Sequence, residues 1–493
     1  MKLICGVVAF AVAAFPLVSQ ELRFTSGVSE QEVFQRNPEG VADITFGGVA
    51  SGRKINGKMV VARLTKGGAV VPGFEWEPIG KIQRTRWDGE FRNVPTGGPY
   101  RVEIRLGENA PVSAVDGILV GDLWVLAGQS NMEGVGNLID VQQPSPLVHS
   151  FDMADNWVVA EEPLHTLVNA VDRVHWPLNR QNQPERITGD LLAKYMAERK
   201  KGAGLGLPFA VDMVQRTGIP IGLLPCAHGG TSMSQWSPAL KERDGDSLYG
   251  SMIRRVKAVD GKVKGILWYQ GESDANPTAA PVFEKRFIDF VTSVRADLGQ
   301  PNLPFYYVQI GRHISNENVP QWNMVQDAQR RAEPEIPNSG MVAAVDLTLD
   351  DGIHISTPDL KRLGHRLANL ACHDLYSKDG DCGDLKRGPR PVAAEYNPAG
   401  FVKVVFTDVN GRLDSQGRIS GFSIHNADGT LAPRIYKATV DPAEASVVLL
   451  YISGKLPPKA TLWYGHGKDP YCNLVDAADM AAPVFGPLPI QVH

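Results

Sequence analysis

Leu123-Trp124-Val125-Leu126-Ala127-Gly128-Gln129-Ser130-Asn131-Met132-Glu133-Gly134 is the stretch from which the rest of the chain can be read. Five apolar residues in succession suit a strand buried on both faces. They run into a glycine and then into Ser-Asn-Met-Glu, which opens a helix. A serine at a strand-to-helix turn has an exposed hydroxyl and a backbone N–H near a helix N-terminus, a placement that suits attack on an ester. The same four residues also read as a capping box, in which Ser130 would do no more than cap the helix. The stretch is not the GxSxG elbow, because position 132 is Met.

Similar apolar runs recur at 219–224, Gly265–Tyr269, Phe305–Gln309 and 341–345. Longer helical stretches separate them; 283–298, for example, carries apolar residues at 283, 287, 290, 291 and 294. Strand and helix in alternation predict an α/β domain, a parallel sheet with helices on both faces. Such sheets place their sites at the carboxyl ends of the strands. On either side the pattern changes to short β-like runs with Gly and Pro turns, at 42–47, 58–64 and 101–106, then at 402–406 and 446–451. The expected organisation is a signal peptide at 1–20, an N-terminal β-sandwich at 21–115, the α/β domain at 116–385 with an insertion at about 137–206, and a C-terminal β-domain at 386–493.

Composition agrees with a soluble globular chain: of 493 residues 43% are hydrophobic and 21% charged. Lys plus Arg (50) nearly balances Asp plus Glu (54), and the absence of a basic block excludes nucleic acid as an expected partner. Lys2, the apolar run 3–15 and the return of polarity at Ser19-Gln20-Glu21 read as a secretory signal, the run being shorter than the roughly 20 residues a membrane span needs. Export to the periplasm or the medium is therefore expected, with an uncleaved anchor as the alternative. Export permits disulfides. Cys5 leaves with the signal; Cys372 and Cys382 flank a short polar stretch that a local bridge would close, while Cys226 and Cys472 have no evident partner. Without paired CxxC motifs or nearby histidines there is little for a structural zinc site.

Three more motifs follow successive strands. His228-Gly229-Gly230-Thr231-Ser232 offers glycines that permit close approach and a backbone N–H for an oxyanion. In Trp268-Tyr269-Gln270-Gly271-Glu272-Ser273-Asp274, Gln270 either aims its amide at the same oxyanion or is a buried amide satisfying backbone groups. Asp350-Asp351-Gly352-Ile353-His354 supplies a histidine base with a carboxylate three residues before it.

The order serine, glycine, amide, Asp-x-x-His resembles the SGNH hydrolase superfamily, and within it the sialate O-acetylesterase-like and acetylxylan esterase-like branch. Gly121-Asp122-Leu123-Trp124 before GQSNM, the GGT and WYQGESD runs and the strand LPFYYVQI carry the resemblance, as do Val33-Phe34-Gln35-Arg36 and Ala482-Pro483-Val484-Phe485. It implies an SGNH-type, flavodoxin-like sheet and a secreted serine carbohydrate esterase that removes O-acetyl groups from xylan-type, pectin-type or sialic acid glycans, with no metal or organic cofactor. By position, Ser130 is the nucleophile, His354 the base and Asp351 its orienting partner; the oxyanion hole is the N–H groups of Ser130 and Gly230 with the side chain of Gln270. Gln270 stands where most of the superfamily has Asn, and Asp350 competes with Asp351 for the histidine. Glu272 is expected to brace its loop or meet substrate, and His228, Trp236, His313 and Trp322 are candidate sugar contacts, with Trp157 and Trp176 of the insertion as cleft walls. The rival readings are an SGNH hydrolase of lipid or thioester acyl groups and a catalytically silent carbohydrate-binding protein.

Overall fold

The computed structural model describes residues 20–492 apart from 109, 377–381 and 433. The expected signal peptide, all but Gln20, lies outside the described residues. The chain divides into two compact units, the first made of residues up to Glu30, Asp43–Val94 and Pro99–Ile118. In it Glu21–Ser26 pairs antiparallel with Val41–Ser51, and Met59–Lys66 with Gly97–Arg105. Alternation at 101–106 buries Val102 and Ile104. The unit's core is aromatic: Phe24 meets Trp87 edge-on at 5.5 Å between ring centres, and Phe46 meets Phe91 at 5.2 Å.

The second unit holds Gln31–Ala42, Pro95–Gly98 and Leu119 onward. Its central strands are β1 (Ser113–Gly128, through its second half), β2 (Val148–Phe151), β3 (Trp157–Val159), β4 (Ile221–Pro225), β5 (Gly265–Tyr269), β6 (Phe305–Gln309) and β7 (Ser339–Ala343). They lie in the order β3-β2-β4-β1-β5-β6-β7. Every neighbouring pair is parallel except β2 with β3, which is antiparallel. The five apolar runs are all strands of this sheet. The segment at 137–206 is more than a wall to the cleft, since it contributes β2 and β3, with Trp157 in β3 and largely buried.

The helices are α1 (Ser130–Glu133), α2 (Gly206–Thr217), α3 (Leu248–Ala258), α4 (Phe283–Asp297), α5 (Val319–Glu335) and α6 (Thr357–Leu375), besides the exposed helix Gly189–Glu198. Ring contacts along β6 show how they are layered. Tyr306 stacks on Trp124, which meets Phe209 of α2 at 5.0 Å. Its neighbours Phe305 and Tyr307 meet Phe287 of α4, at 5.9 and 4.9 Å. Alternate residues of a strand point to opposite faces, so helices cover both faces of the sheet. On the α2 face, α6 approaches closely at Gly364, where any Cβ would lie 2.8 Å from the backbone of Leu205 and Phe209. Cys372, near the end of α6, is bonded to Cys382, with Cα atoms 5.2 Å apart; Cys226 and Cys472 are buried free thiols.

The C-terminal strands form a seven-stranded sheet between Arg390 and Val492 around Val402, Val404, Leu450 and Leu462. It belongs to the second unit and is fastened to β6: Gln309 donates from Nε2 to Val484 O (3.0 Å) and accepts from Val484 N–H (2.8 Å). Arg366 of α6, fully buried, pairs with Asp346 at 2.6 Å and with Asp479 at 3.3 Å.

Candidate active site

β1 ends at Gly128, whose φ of +133° and contact with Tyr269, 2.2 Å from any added Cβ to the carbonyl oxygen, admit glycine alone. The next residue, Gln129, is the N-cap of α1, and its carbonyl accepts from the N–H groups of Met132 and Glu133. Ser130 is therefore the first helical residue and not a cap. Its hydroxyl and its N–H are bonded to no described residue, and the side chain is partly exposed.

The loop after β4 lies against this serine. Gly229 N–H donates to Glu133 Oε2 at 2.7 Å, and a Cβ on Gly229 would stand 3.4 Å from Ser130 Cβ. Gly230 has φ +69° and an N–H bonded to no described residue. Burial pushes Glu133 up to about 7, against the pull of Gly229 N–H and Arg199.

The loop after β5 departs from the expected oxyanion donor. Gln270 gives both amide hydrogens away, to Thr231 O (3.0 Å) and Asp274 Oδ2 (2.6 Å). Its alternative reading, a buried amide satisfying backbone groups, fits this arrangement. Glu272 braces the loop: its Oε1 accepts from Asn131 Nδ2 at 3.0 Å. Burial pushes its carboxyl up to about 7, the Asn131 bond pulling the other way.

The fourth loop holds the histidine. His354 Nδ1 faces both oxygens of Asp351, at 3.0 and 2.9 Å, and the Asp351 carboxylate also accepts from the N–H groups of His354 (2.9 Å) and Ile353 (3.1 Å). Lys201 Nζ donates to Asp351 Oδ2 at 2.6 Å. Partial burial works against the charge on Asp351, but the bonds from Lys201, His354 and the backbone outweigh it and hold the carboxyl below the usual range. Asp350 points elsewhere, accepting from Asn137 N–H (2.9 Å) and Thr357 N–H (3.3 Å).

Asn131 ties the serine turn to the histidine loop. Its Oδ1 accepts from Ile355 N–H at 3.0 Å and its Nδ2 reaches Ile353 O at 3.4 Å, so it holds the residues on either side of His354. Asn131 and Lys201 are the functional candidates that sequence reading missed. Asn131 stands inside the quoted motif, where its place after Ser130 was the available signal; Lys201 carried none.

The expected sugar contacts divide. Trp236 is wholly buried, donating to Thr231 Oγ1 at 3.0 Å and packed edge-on to Trp268, so it cannot meet a sugar. Trp322, likewise buried, donates to Gly311 O at 3.1 Å. His313 stays partly exposed near the 350–354 loop: its neighbour Ile314 donates to Gly352 O at 2.8 Å, and burial, Lys468 and His354 lower its basicity. His228 and Trp176 line a cavity of about 320 Å³.

The profile of a family described as "Carbohydrate esterase, sialic acid-specific acetylesterase" matches residues 120–373. The chain belongs to this family. It is thus a carboxylic ester hydrolase acting on O-acetylated carbohydrate. Human sialate O-acetylesterase is 24% identical over 357 residues, which span 66% of this chain and 65% of that protein. An Arabidopsis thaliana protein named "Probable carbohydrate esterase" is 28% identical over 272 residues, 50% of this chain and 88% of its own length. Among solved structures, a carbohydrate acetylesterase from Xanthomonas citri is 21% identical, superposes with a TM-score of 0.62 and covers 94% of this chain and 99% of its own, a likeness of fold. Among the described residues no helix is long and apolar enough to cross a membrane, and no group of three His, Cys, Asp or Glu side chains is placed to hold a metal ion.

Proposed function

We propose that this chain is an exported serine esterase of the SGNH type that removes acetyl groups from glycan hydroxyls through an acetyl-serine intermediate. Ser130 is the nucleophile, His354 the general base and Asp351 its orienting partner, within an α/β domain flanked by β-domains at 21–115 and 386–493. The observation that carries the reading is the pairing of His354 Nδ1 with Asp351 in a loop that Asn131, adjacent to Ser130, holds on both sides.

With Nδ1–H given to Asp351, Nε2 is the basic nitrogen. His354 Nε2 takes the Ser130 proton as Oγ bonds to the acetyl carbon. The N–H groups of Ser130 and Gly230 receive the oxyanion. As the tetrahedral intermediate collapses, the bond from the acetyl carbon to the sugar oxygen breaks and His354 returns the proton to that oxygen. Water then attacks the acetyl-serine, losing a proton to His354, and acetate leaves as Ser130 regains its hydrogen. The family match favours acetylated glycans, whether xylan, pectin-like or sialic acid, over long acyl chains.

Ser130→Ala tests the assignment most directly. Acetate release should fall by at least about 10³ with the fold intact, since binding and oxyanion donors alone retain modest catalysis. A serine-directed phosphonate should add once, at Ser130. An adduct mapped elsewhere, or an active alanine variant, overturns the nucleophile.

A further inference from the structure

Acyl transfer makes no use of a chain of polar side chains that ends one residue from Gly229, the glycine packed on Ser130. His228 lies one residue before Gly229, the residue packed on Ser130, and its own N–H is held by Gly128 O at 3.0 Å. Behind it the ring of His175 lies nearly parallel and edge to edge, with ring centres 5.3 Å apart and Nδ1 to Nδ1 3.2 Å. His175 Nε2 stands 3.3 Å from Ser251 Oγ, and Ser251 Oγ donates to Asp172 Oδ2 at 2.5 Å. Asp172 is in turn ion-paired with Arg254 at 2.7 Å. His175, Ser251 and Asp172 are all buried.

The direction of every bond in this chain follows from its far end. Asp172, paired with a guanidinium, only accepts, so the Ser251 hydrogen points to it. Ser251 Oγ is then left as an acceptor, and His175 Nε2 must carry the hydrogen that reaches it. Burial foremost, with His228 and the arginines behind it, keeps His175 neutral, and burial does the same for His228. A neutral imidazole carries one N–H, so His175 Nδ1 is a lone pair. The 3.2 Å contact is satisfied when His228 donates from Nδ1. His228 Nε2 is thereby fixed as an acceptor. It is bonded to no described residue, and His228 lines the cavity of about 320 Å³ together with Trp176, Leu178, Thr231, Arg243 and Asp246.

We infer that His228 Nε2 accepts a hydrogen bond from a free hydroxyl of the bound glycan, next to the acetylated position, and that Asp172, Ser251 and His175 hold it in the accepting tautomer. This rests on Ser130 as the acylated residue, because only then does the cavity lie beside the scissile ester. His228 is a specificity residue that touches substrate; His175 and Ser251 are positioning residues. The site selects sugars whose neighbouring hydroxyl is unsubstituted and discriminates against those in which it is acetylated, methylated or absent.

The experiment compares kcat/KM for a monoacetylated glycoside carrying the adjacent hydroxyl with that for its deoxy analogue, in the wild type, His228→Ala, Ser251→Ala and Ser251→Thr. The wild type should prefer the hydroxyl by about 10-fold, the scale of one hydrogen bond. The preference should fall toward one in His228→Ala and in Ser251→Ala, and return in Ser251→Thr, which restores the hydroxyl. Nitrogen NMR of the wild-type imidazoles should find His228 Nε2 without a proton. An unchanged preference in His228→Ala, or a protonated His228 Nε2, overturns the inference even if a variant misfolds. A wild type that cleaves both esters and labels at Ser130 but shows no preference defeats this inference alone; failure of the label at Ser130 defeats the catalytic assignment beneath it.

Discussion

Two loops at the carboxyl edge of one sheet are built on opposite plans. In the loop at 350–354 the carboxylates are satisfied: Asp351 receives hydrogen bonds from Lys201, His354 and two backbone N–H groups, and Asp350 from two more. In the loop at 270–274, Gln270 Oε1, Glu272 Oε2 and Asp274 Oδ1 are buried with no hydrogen-bond partner among the described residues. The second loop thus leaves its acceptors less fully bonded within the protein than the first. The contrast matches what each loop must do. A base must meet its nucleophile at a fixed angle before substrate arrives, which calls for a locked carboxylate. The 270–274 loop instead braces its neighbours, through Gln270 to the Gly230 loop and through Glu272 to Asn131.

Removing charge from the locked loop should have the largest effect. Asp351→Asn presents an amide where His354 needs an anion and permits the wrong imidazole tautomer; kcat should fall by about 10⁴. Asp350→Asn keeps an oxygen for the N–H groups of Asn137 and Thr357, and its kcat should stay within about tenfold of wild type. Steady-state rates on one acetyl ester, with circular dichroism as the folding control, separate the two. Reversal of their order would reassign the histidine's partner.

Much of this plan was legible in the sequence, and what was not is non-local. Runs of apolar residues marked β1, β4, β5, β6 and β7, because a strand buried on both faces cannot hide its composition. β2 escaped because Val148-His149-Ser150-Phe151 contains two polar residues. His149 is satisfied by Gln31 O at 2.7 Å, a partner 118 positions away. Ser130 was readable as either cap or nucleophile; only the packed turn makes Gln129 the cap. Lys201 meets Asp351 across 150 positions and Asn131 meets Ile355 across 224, separations at which no spacing rule operates. Trp236 follows a glycine loop, as a sugar-binding aromatic would, yet it packs inward on Trp268.

Gln270 tests the 270–274 loop at intermediate size. An oxyanion donor lost in a protease costs about 10²–10³ in kcat. Here both amide hydrogens already serve Thr231 O and Asp274 Oδ2. Gln270→Ala should therefore lower kcat by only about tenfold and lower stability by about 1–3 kcal/mol as two buried acceptors lose their donor. Urea unfolding read beside kcat distinguishes the cases: a rate loss of 10³ with stability unchanged would return Gln270 to the oxyanion hole.

The smallest effect on rate, and the most informative about the loop, should come from Glu272→Gln. Burial raises the Glu272 carboxyl from 4.5 to about 7 in the folded protein. Between those values the unfolded chain has released the proton while the folded chain keeps it. The folded state binds more protons, so this group's contribution to stability falls as pH rises from about 4.5 to about 7 and levels off above. The full penalty amounts to roughly 3 kcal/mol, at about 1.4 kcal/mol per unit. Glutamine keeps an oxygen for Asn131 Nδ2 and carries no charge, so the brace to the histidine loop survives and kcat should change less than about threefold. Its Nε2 would also stand where Oε2 now lacks a donor, exchanging one unpaired atom for another. Glu133 and Glu162 are likewise raised to about 7, so the wild type alone would not isolate the effect. The difference in unfolding free energy, variant minus wild type, should grow in the variant's favour from pH 5 to pH 7.5. A flat difference across that range would mean that Glu272 is ionised in the folded protein throughout and that the loop pays no such penalty.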